Sequence, residues 1–166
     1  MKHNRHTAVM HVSATKLSQN YSFEDCKRGH LAKGWSDIGY HYYITQDGTI
    51  HKGRPLTKNG AHVRGFNNGT IGICTEGGIG ENGVPVDTMN AMQLLSVEGL
   101  LYMLKEGNPE MKVKGHRDYS PDLNKNGKIE SNEFIKMCPC YNAEEKFAIF
   151  NDPFETLKKR MGRNDK

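Results

Sequence analysis

Eighteen glycines are spread along 166 residues, dividing the chain into short segments joined by tight turns. Glycine takes up the left-handed backbone conformations that such turns need. That punctuation points to a mixed α/β fold rather than a plain helical bundle. Between the glycines the patterning alternates. Thr7 to Val12 reads as a buried strand, a short apolar run interrupted by His11. Ser22 reads as an N-cap with Asp25 at N3 of a helix reaching to Lys33, which Gly34 ends. Tyr40 to Ile44 is β-prone, and Asp47-Gly48 is a hairpin turn into Thr49-Ile50-His51. Ile71 to Thr75 is a further strand, followed by a glycine-rich loop over Gly77 to Gly80. The longest helix is expected from Asp87 to Glu106, with Met89, Met92, Leu95, Leu100, Leu101 and Leu104 as its apolar residues. Val113 to His116 is a short strand or strand end. A polar, turn-rich stretch follows from Asp118 to Ser131, and Phe147 to Leu157 is an amphipathic segment broken at Asp152-Pro153. With no internal repeat and no linker, residues 1–166 are expected to form a single domain, long enough to bury a core without disulfide staples.

Several function classes lose support from composition. Hydrophobic content of 36% and a mean hydropathy of −0.73 suit a chain rich in polar loops. No apolar run approaches the roughly 20 residues that span a bilayer, so no membrane partner is expected. The N-terminal M-K-H-N-R-H is followed by no apolar stretch, so cytoplasmic synthesis without a secretory signal is expected. The net charge of +4 is modest and clusters only at Lys158-Lys159-Arg160 with Arg163. Such a field would favour an anionic polymer such as a cell wall. A nucleic acid is the competing reading, but no binding motif and no basic stripe interleaved with aromatics supports it.

Four cysteines (Cys26, Cys74, Cys138 and Cys140) in a chain expected to lack a secretory leader read as free thiols or metal ligands rather than disulfides. Two imidazoles and one thiolate make a sound zinc set, leaving the fourth tetrahedral position open as a catalytic site requires. His11, His116 and Cys138 could supply it. Taken singly, His11 reads more readily as a core histidine than as a ligand, and no local spacing signature links the three. Cys140, two residues on, is an alternative ligand.

Seven blocks, in order from Ala8 to Tyr141, carry a resemblance. H-V-S-A-T at His11 to Thr15, G-W-S-D-I-G-Y-H at Gly34 to His41 and D-G-T-I at Asp47 to Ile50 come first. A-H-V-R-G-F-N at Ala61 to Asn67, I-G-I-C at Ile71 to Cys74, G-H-R-D at Gly115 to Asp118 and K-M-C-P at Lys136 to Pro139 follow. Together they resemble the type 2 N-acetylmuramoyl-L-alanine amidase family, which includes phage lysozyme-type amidases and is related to peptidoglycan recognition proteins. The resemblance implies a central mixed β-sheet flanked by helices, with a zinc groove on one face. It implies His11, His116 and Cys138 as zinc ligands, and Tyr40 and Lys136 as residues assisting catalysis. It places His62 in the substrate groove, with Thr15, Arg64 and Asn67 nearby. Without the resemblance, Tyr40 reads as a packed aromatic and Lys136 as a solvated helix residue. Cys26 and Cys74 read as buried thiols, His3, His6, His30 and His51 as surface or supporting residues, and His41 as packing beneath the site.

One further motif lies between the second and third implied ligands. Asp122 to Glu133, D-L-N-K-N-G-K-I-E-S-N-E, fits the twelve-residue EF-hand calcium loop. Asp122, Asn124 and Asn126 would supply side-chain oxygens, Lys128 its carbonyl, and Glu133 the twelfth position, with Gly127 at the sixth. The competing reading is a polar, asparagine-rich turn. Ser120-Pro121 cannot extend an entering helix, so a lone structural loop is expected. The functional expectation is a monomeric zinc amidase acting on bacterial peptidoglycan, a phage or prophage endolysin at work on the cell wall. The alternative is a peptidoglycan-binding module without catalysis, against which the presence of Cys138, Tyr40 and Lys136 speaks.

Overall fold

The structure, a computed structural model, describes residues 3–162; Arg163 of the basic cluster lies outside the described residues. Strand β1 (Thr7–Val12) is buried along its whole length, as the apolar run requires. After the two-residue β2 (Thr15–Lys16) comes α1 (Phe23–Ala32), begun by a reciprocal capping box. The Ser22 hydroxyl accepts the Asp25 N–H at 3.1 Å, and the Asp25 carboxylate accepts the Ser22 N–H at 3.1 Å. Gly34, at φ +80°, takes the left-handed position just past the helix end.

Strands β3 (Tyr42–Ile44), β4 (Ile50–Lys52), β5 (Thr70–Thr75), β6 (Gly78–Ile79) and β7 (Lys112–Gly115) complete two sheets. The larger has the order β4-β3-β5-β1-β7, and only the β3–β4 hairpin in it is antiparallel. The expected strand at Tyr40 begins two residues later. The backbone of Tyr40 and His41 instead holds the next loop, their carbonyls accepting Arg54 and Gly53 N–H. The glycine-rich segment expected as loop is partly strand, because Gly78–Ile79 pairs parallel with Thr15–Lys16.

Helix α2 spans Ala91–Gly107 rather than starting at Asp87. Asp87 is engaged elsewhere, accepting the Met89 N–H and pairing with Lys146 at 2.5 Å. Asn90 provides the cap instead, accepting the Gln93 N–H at 2.9 Å. The buried stripe of α2 is Val97, Leu100, Leu101 and Leu104. Met92 and Leu95, expected on the apolar face, are exposed. The expected C-terminal segment begins earlier and falls into α3 (Ala143–Lys146), a 3-10 turn over Ala148–Asn151 and α4 (Phe154–Arg160). Phe147, Phe150 and Leu157 anchor it in the core. Each fully buried side chain of this size contributes roughly 1.5–3 kcal/mol of burial free energy.

Side-chain alternation decides which face carries the chemistry. Ala8, Met10 and Val12 of β1, Ile71 and Ile73 of β5, and Tyr42 and Ile44 of β3 share one core with α2 and the C-terminal helices. The other parity presents His11, Gly72, Cys74 and Tyr43 to the opposite face, where Cys26, Ile38 and the half-buried Tyr21, Phe23 and Tyr40 pack.

Candidate metal centre and active-site groove

Strand register assembles the site. Parallel pairing of β1 with β7 places Met10 opposite Gly115, so the next residues, His11 and His116, meet at the carboxyl ends of neighbouring strands. Their ring centroids are 4.6 Å apart. Open parallel sheets place ligand sites at this end of the strands. A 3-10 turn over His116–Tyr119 turns the chain away, pinned by the Gly115 N–H donating to Asp118 at 2.6 Å.

Cys138 arrives from the following segment. Its carbonyl accepts the Arg117 N–H at 2.8 Å and its Sγ accepts the Val12 N–H at 3.4 Å. Pro139 packs on Gly115, where a Cβ would stand 2.9 Å from the proline ring. Sγ of Cys138 lies 3.8 Å from Nδ1 of His11. One donor atom from each of His11, His116 and Cys138 falls within 4.8 Å of the other two, and no other group of three or more His, Cys, Asp or Glu donors among the described residues does so. Cys140 is turned elsewhere, its thiol donating to the Gly78 carbonyl at 3.3 Å.

The donor set fits a soft-to-borderline dication. Burial, then His62, His116 and Lys136, holds His11 well below its ordinary pKa, and burial with Lys136 brings His116 down to about 4. Both imidazoles are thus neutral at physiological pH, the form that ligates a metal. Burial pushes the Cys138 thiol up to about 12, which makes it inert as a free nucleophile. A bound cation inverts that logic, because a coordinating thiol is deprotonated outright.

Beside the cluster runs a groove of about 730 Å³. It is lined by His62, His116, Arg64, Asn67, Tyr119 and Lys136, with the exposed Trp35 and Ile135 at its rim. Of the residues expected in the groove, His62, Arg64 and Asn67 line it and Thr15 does not. Thr15 sits on β2, bonded to the Ser13 hydroxyl at 2.7 Å. Asn67 also builds the loop, its side-chain oxygen accepting the His62 and Val63 N–H groups at 2.8 and 3.0 Å. Tyr40 is half-buried with its ring 5.1 Å from His11. Burial, with the Cys74 thiol alongside, raises its phenol well above the ordinary range, so it is a neutral hydroxyl. Lys136 is exposed.

His41 packs beneath the site as expected, 1% exposed. Its Nδ1 accepts the Gly72 N–H and its Nε2 donates to the Lys58 carbonyl, both at 3.0 Å. His30 supports the groove rim, stacking on Trp35 at 4.5 Å. Trp35, Tyr119 and Ile135 are wall residues that the sequence reading did not single out. A usable signal existed for two of them, since Trp35 lies inside the G-W-S-D block and Ile135 precedes Lys136. Tyr119 gave none, and its role emerges only from stacking on Phe66 at 4.9 Å.

Comparison with known proteins agrees with this architecture. The N-acetylmuramoyl-L-alanine amidase family profile matches residues 2–129. The endolysin of Enterobacteria phage K11 is 34% identical over 112 residues, covering 68% of this chain and 74% of that one. Among solved structures, the N-acetylmuramoyl-L-alanine amidase LysC from Clostridium intestinale superposes with a TM-score of 0.65 at 27% identity, covering 97% of this chain and 87% of that one. Bumblebee PGRP-SA shares the fold, with a TM-score of 0.66 at 20% identity over 87% of this chain and 81% of that one. The chain belongs to the N-acetylmuramoyl-L-alanine amidase family.

Proposed function

We propose that this protein is a zinc-dependent endolysin-type amidase that hydrolyses the amide between the lactyl group of N-acetylmuramic acid and L-alanine in peptidoglycan. The observation that carries the reading is the convergence of His11, His116 and Cys138 beside a groove that His116 lines together with Lys136 and Arg64. These three residues would hold zinc, which when bound supplies Lewis-acid polarisation of a carbonyl and brings the pKa of water to roughly 7. The rest of the chemistry falls to the chain. Lys136, projecting into the groove near His11 and His116, stabilises negative charge developing on the carbonyl oxygen. Tyr40, a neutral hydroxyl beside His11, orients the attacking water or carries a proton towards the leaving amine. Arg64 and the aromatic rim at Trp35 suit a ligand that combines carboxylates with sugar faces.

Lys136→Ala is expected to lower kcat on purified sacculi by about 10²–10³-fold, the usual cost of one oxyanion-stabilising donor, with zinc content retained. Unchanged kcat would remove Lys136 from the mechanism. The competing reading, a peptidoglycan-binding module without catalysis, has against it a set of three protein donors, which leaves one tetrahedral position open as catalytic rather than structural zinc sites do.

The Asp122 to Glu133 loop is proposed as a structural calcium site. Asp122 accepts the Asn126 and Gly127 N–H groups at 3.2 and 2.8 Å, with Gly127 at φ +81°. The carboxylate of Glu133, 4% exposed, accepts the Leu123 and Asn124 N–H groups at 2.8 and 3.1 Å. First and last motif positions thereby lie across the same loop, supporting the segment that leads to Lys136 and Cys138. Calcium at ten times its Kd is expected to raise Tm by about 3 °C or more, and Asp122→Ala to abolish the shift. No shift in the wild type would leave the segment a polar turn.

A further inference from the structure

We propose that His62 is a positioning residue, accepting the Nε2–H of His11 and thereby aiming His11 Nδ1 at the metal position shared with Cys138. The inference rests on the zinc-amidase reading and gives His62 a task other than contacting substrate.

Nε2 of His11 and Nδ1 of His62 are 3.0 Å apart, with the two rings nearly perpendicular at 87°. Two ring nitrogens at that distance bond only when one carries a proton and the other a lone pair. The far side of His62 decides which. Its Nε2 lies 3.4 Å from the Thr70 hydroxyl, whose own hydrogen is directed to the Phe66 carbonyl at 2.8 Å. Thr70 therefore offers His62 a lone pair, the His62 proton sits on Nε2, and Nδ1 is left to accept. His11 is then the Nε2–H tautomer, with its Nδ1 lone pair free on the side of Cys138, 3.8 Å away. The bonds run in one direction, from His11 to His62 to Thr70. Metal-ligating histidines usually donate their second N–H to a carboxylate or carbonyl. Here a neutral imidazole does it, adding no charge beside the ligands.

The His62 ring is also clamped, as an orienting group must be. A Cβ on Gly72 would stand 2.6 Å from it and one on Gly60 2.4 Å from it, so both glycines leave the space the ring fills. Gly72 pairs with Val9 on the strand that bears His11, and Asn67 fixes the His62 backbone N–H at 2.8 Å. With 8% exposure, His62 has little surface left for a ligand in the groove.

The test compares His62→Phe, which fills the socket without an acceptor, with His62→Gln, which restores one. Zinc affinity of the metal-stripped proteins is measured by chelator competition, alongside the visible spectrum of the cobalt-substituted forms. His62→Phe is expected to weaken zinc binding 10–100-fold and alter the cobalt spectrum, with His62→Gln within a few-fold of wild type. At saturating zinc, KM for sacculi should hold. Wild-type zinc affinity in His62→Phe, or a raised KM with affinity intact, overturns the proposal in favour of substrate contact. If His62→Phe lacks a cooperative melt, Thr70→Val, which removes the acceptor for His62 Nε2–H, takes its place. Several-fold weaker zinc binding then supports the proposal and unchanged affinity overturns it. A wild-type protein that binds no zinc sinks the parent zinc reading instead, an outcome distinct from all of these.

Discussion

Cys138→Ala is expected to cost more than about 100-fold in zinc affinity, beyond the range seen for groups that only support a ligand, and to reduce sacculus hydrolysis to background. The three donors come from two strand ends and one loop, so removing the thiol leaves two imidazoles, too few for a tetrahedral site with one open position. Cys138→Asp, which supplies an oxygen donor from the same backbone position, is expected to recover part of the binding. Cys140→Ala serves as the contrast, since its thiol faces the Gly78 carbonyl, and zinc content within a few-fold of wild type is expected. Elemental analysis and chelator competition read all three. Zinc retained by Cys138→Ala and lost by Cys140→Ala would reverse the ligand assignment.

Mild acid is expected to unfold the metal-free protein. Burial depresses His41 to about 4 and His62 to about 3, against an unfolded value of about 6.5. Below pH 6.5 the unfolded chain takes up protons that the folded chain refuses. Stability is therefore full above that pH and is lost as pH falls towards 4. At pH 5 each of these two groups costs about 2 kcal/mol, a large share of the 5–15 kcal/mol that holds a typical domain together. His11 and His116 act in the same direction. Saturating zinc should move the transition to lower pH, because protons and metal compete for the same nitrogens. Thermal melts followed by circular dichroism between pH 7 and 4 measure it. A Tm flat from 6.5 to 4.5 would mean that these histidines are not held neutral.

Local signals in the sequence located most elements. The apolar run at Thr7 to Val12, the Ser22/Asp25 capping box and the Asp47-Gly48 turn each act within a few residues, and each element formed where they indicated. Strand order was not legible, because β1 pairs with β5 and β7 across some 60 to 100 residues of intervening chain and nothing local encodes the partner. The pairing of Gly78–Ile79 with Thr15–Lys16 escaped because two-residue strands carry no periodicity. On α2, Met92 and Leu95 misled because apolar spacing does not distinguish a covered face from a bare one. The metal donors were legible only as members of ordered family blocks. His11 inside an apolar strand looks the same whether it packs or ligates, and only the β1–β7 register brings it to His116. The bond between His11 and His62 had no counterpart in the sequence reading, which placed His62 among groove residues. It depends on the room left by Gly60 and Gly72.

A zinc-dependent cut at the lactyl–alanine amide is read out by mass spectrometry of purified sacculi digested with the metal-stripped and the zinc-restored protein. The expected products are peptides beginning with a free L-alanine amine and glycan strands keeping the lactyl carboxylate, formed only after zinc is restored at one equivalent. Intact sacculi with protein bound, or fragments with new reducing sugar ends and no free L-alanine amine, would contradict it.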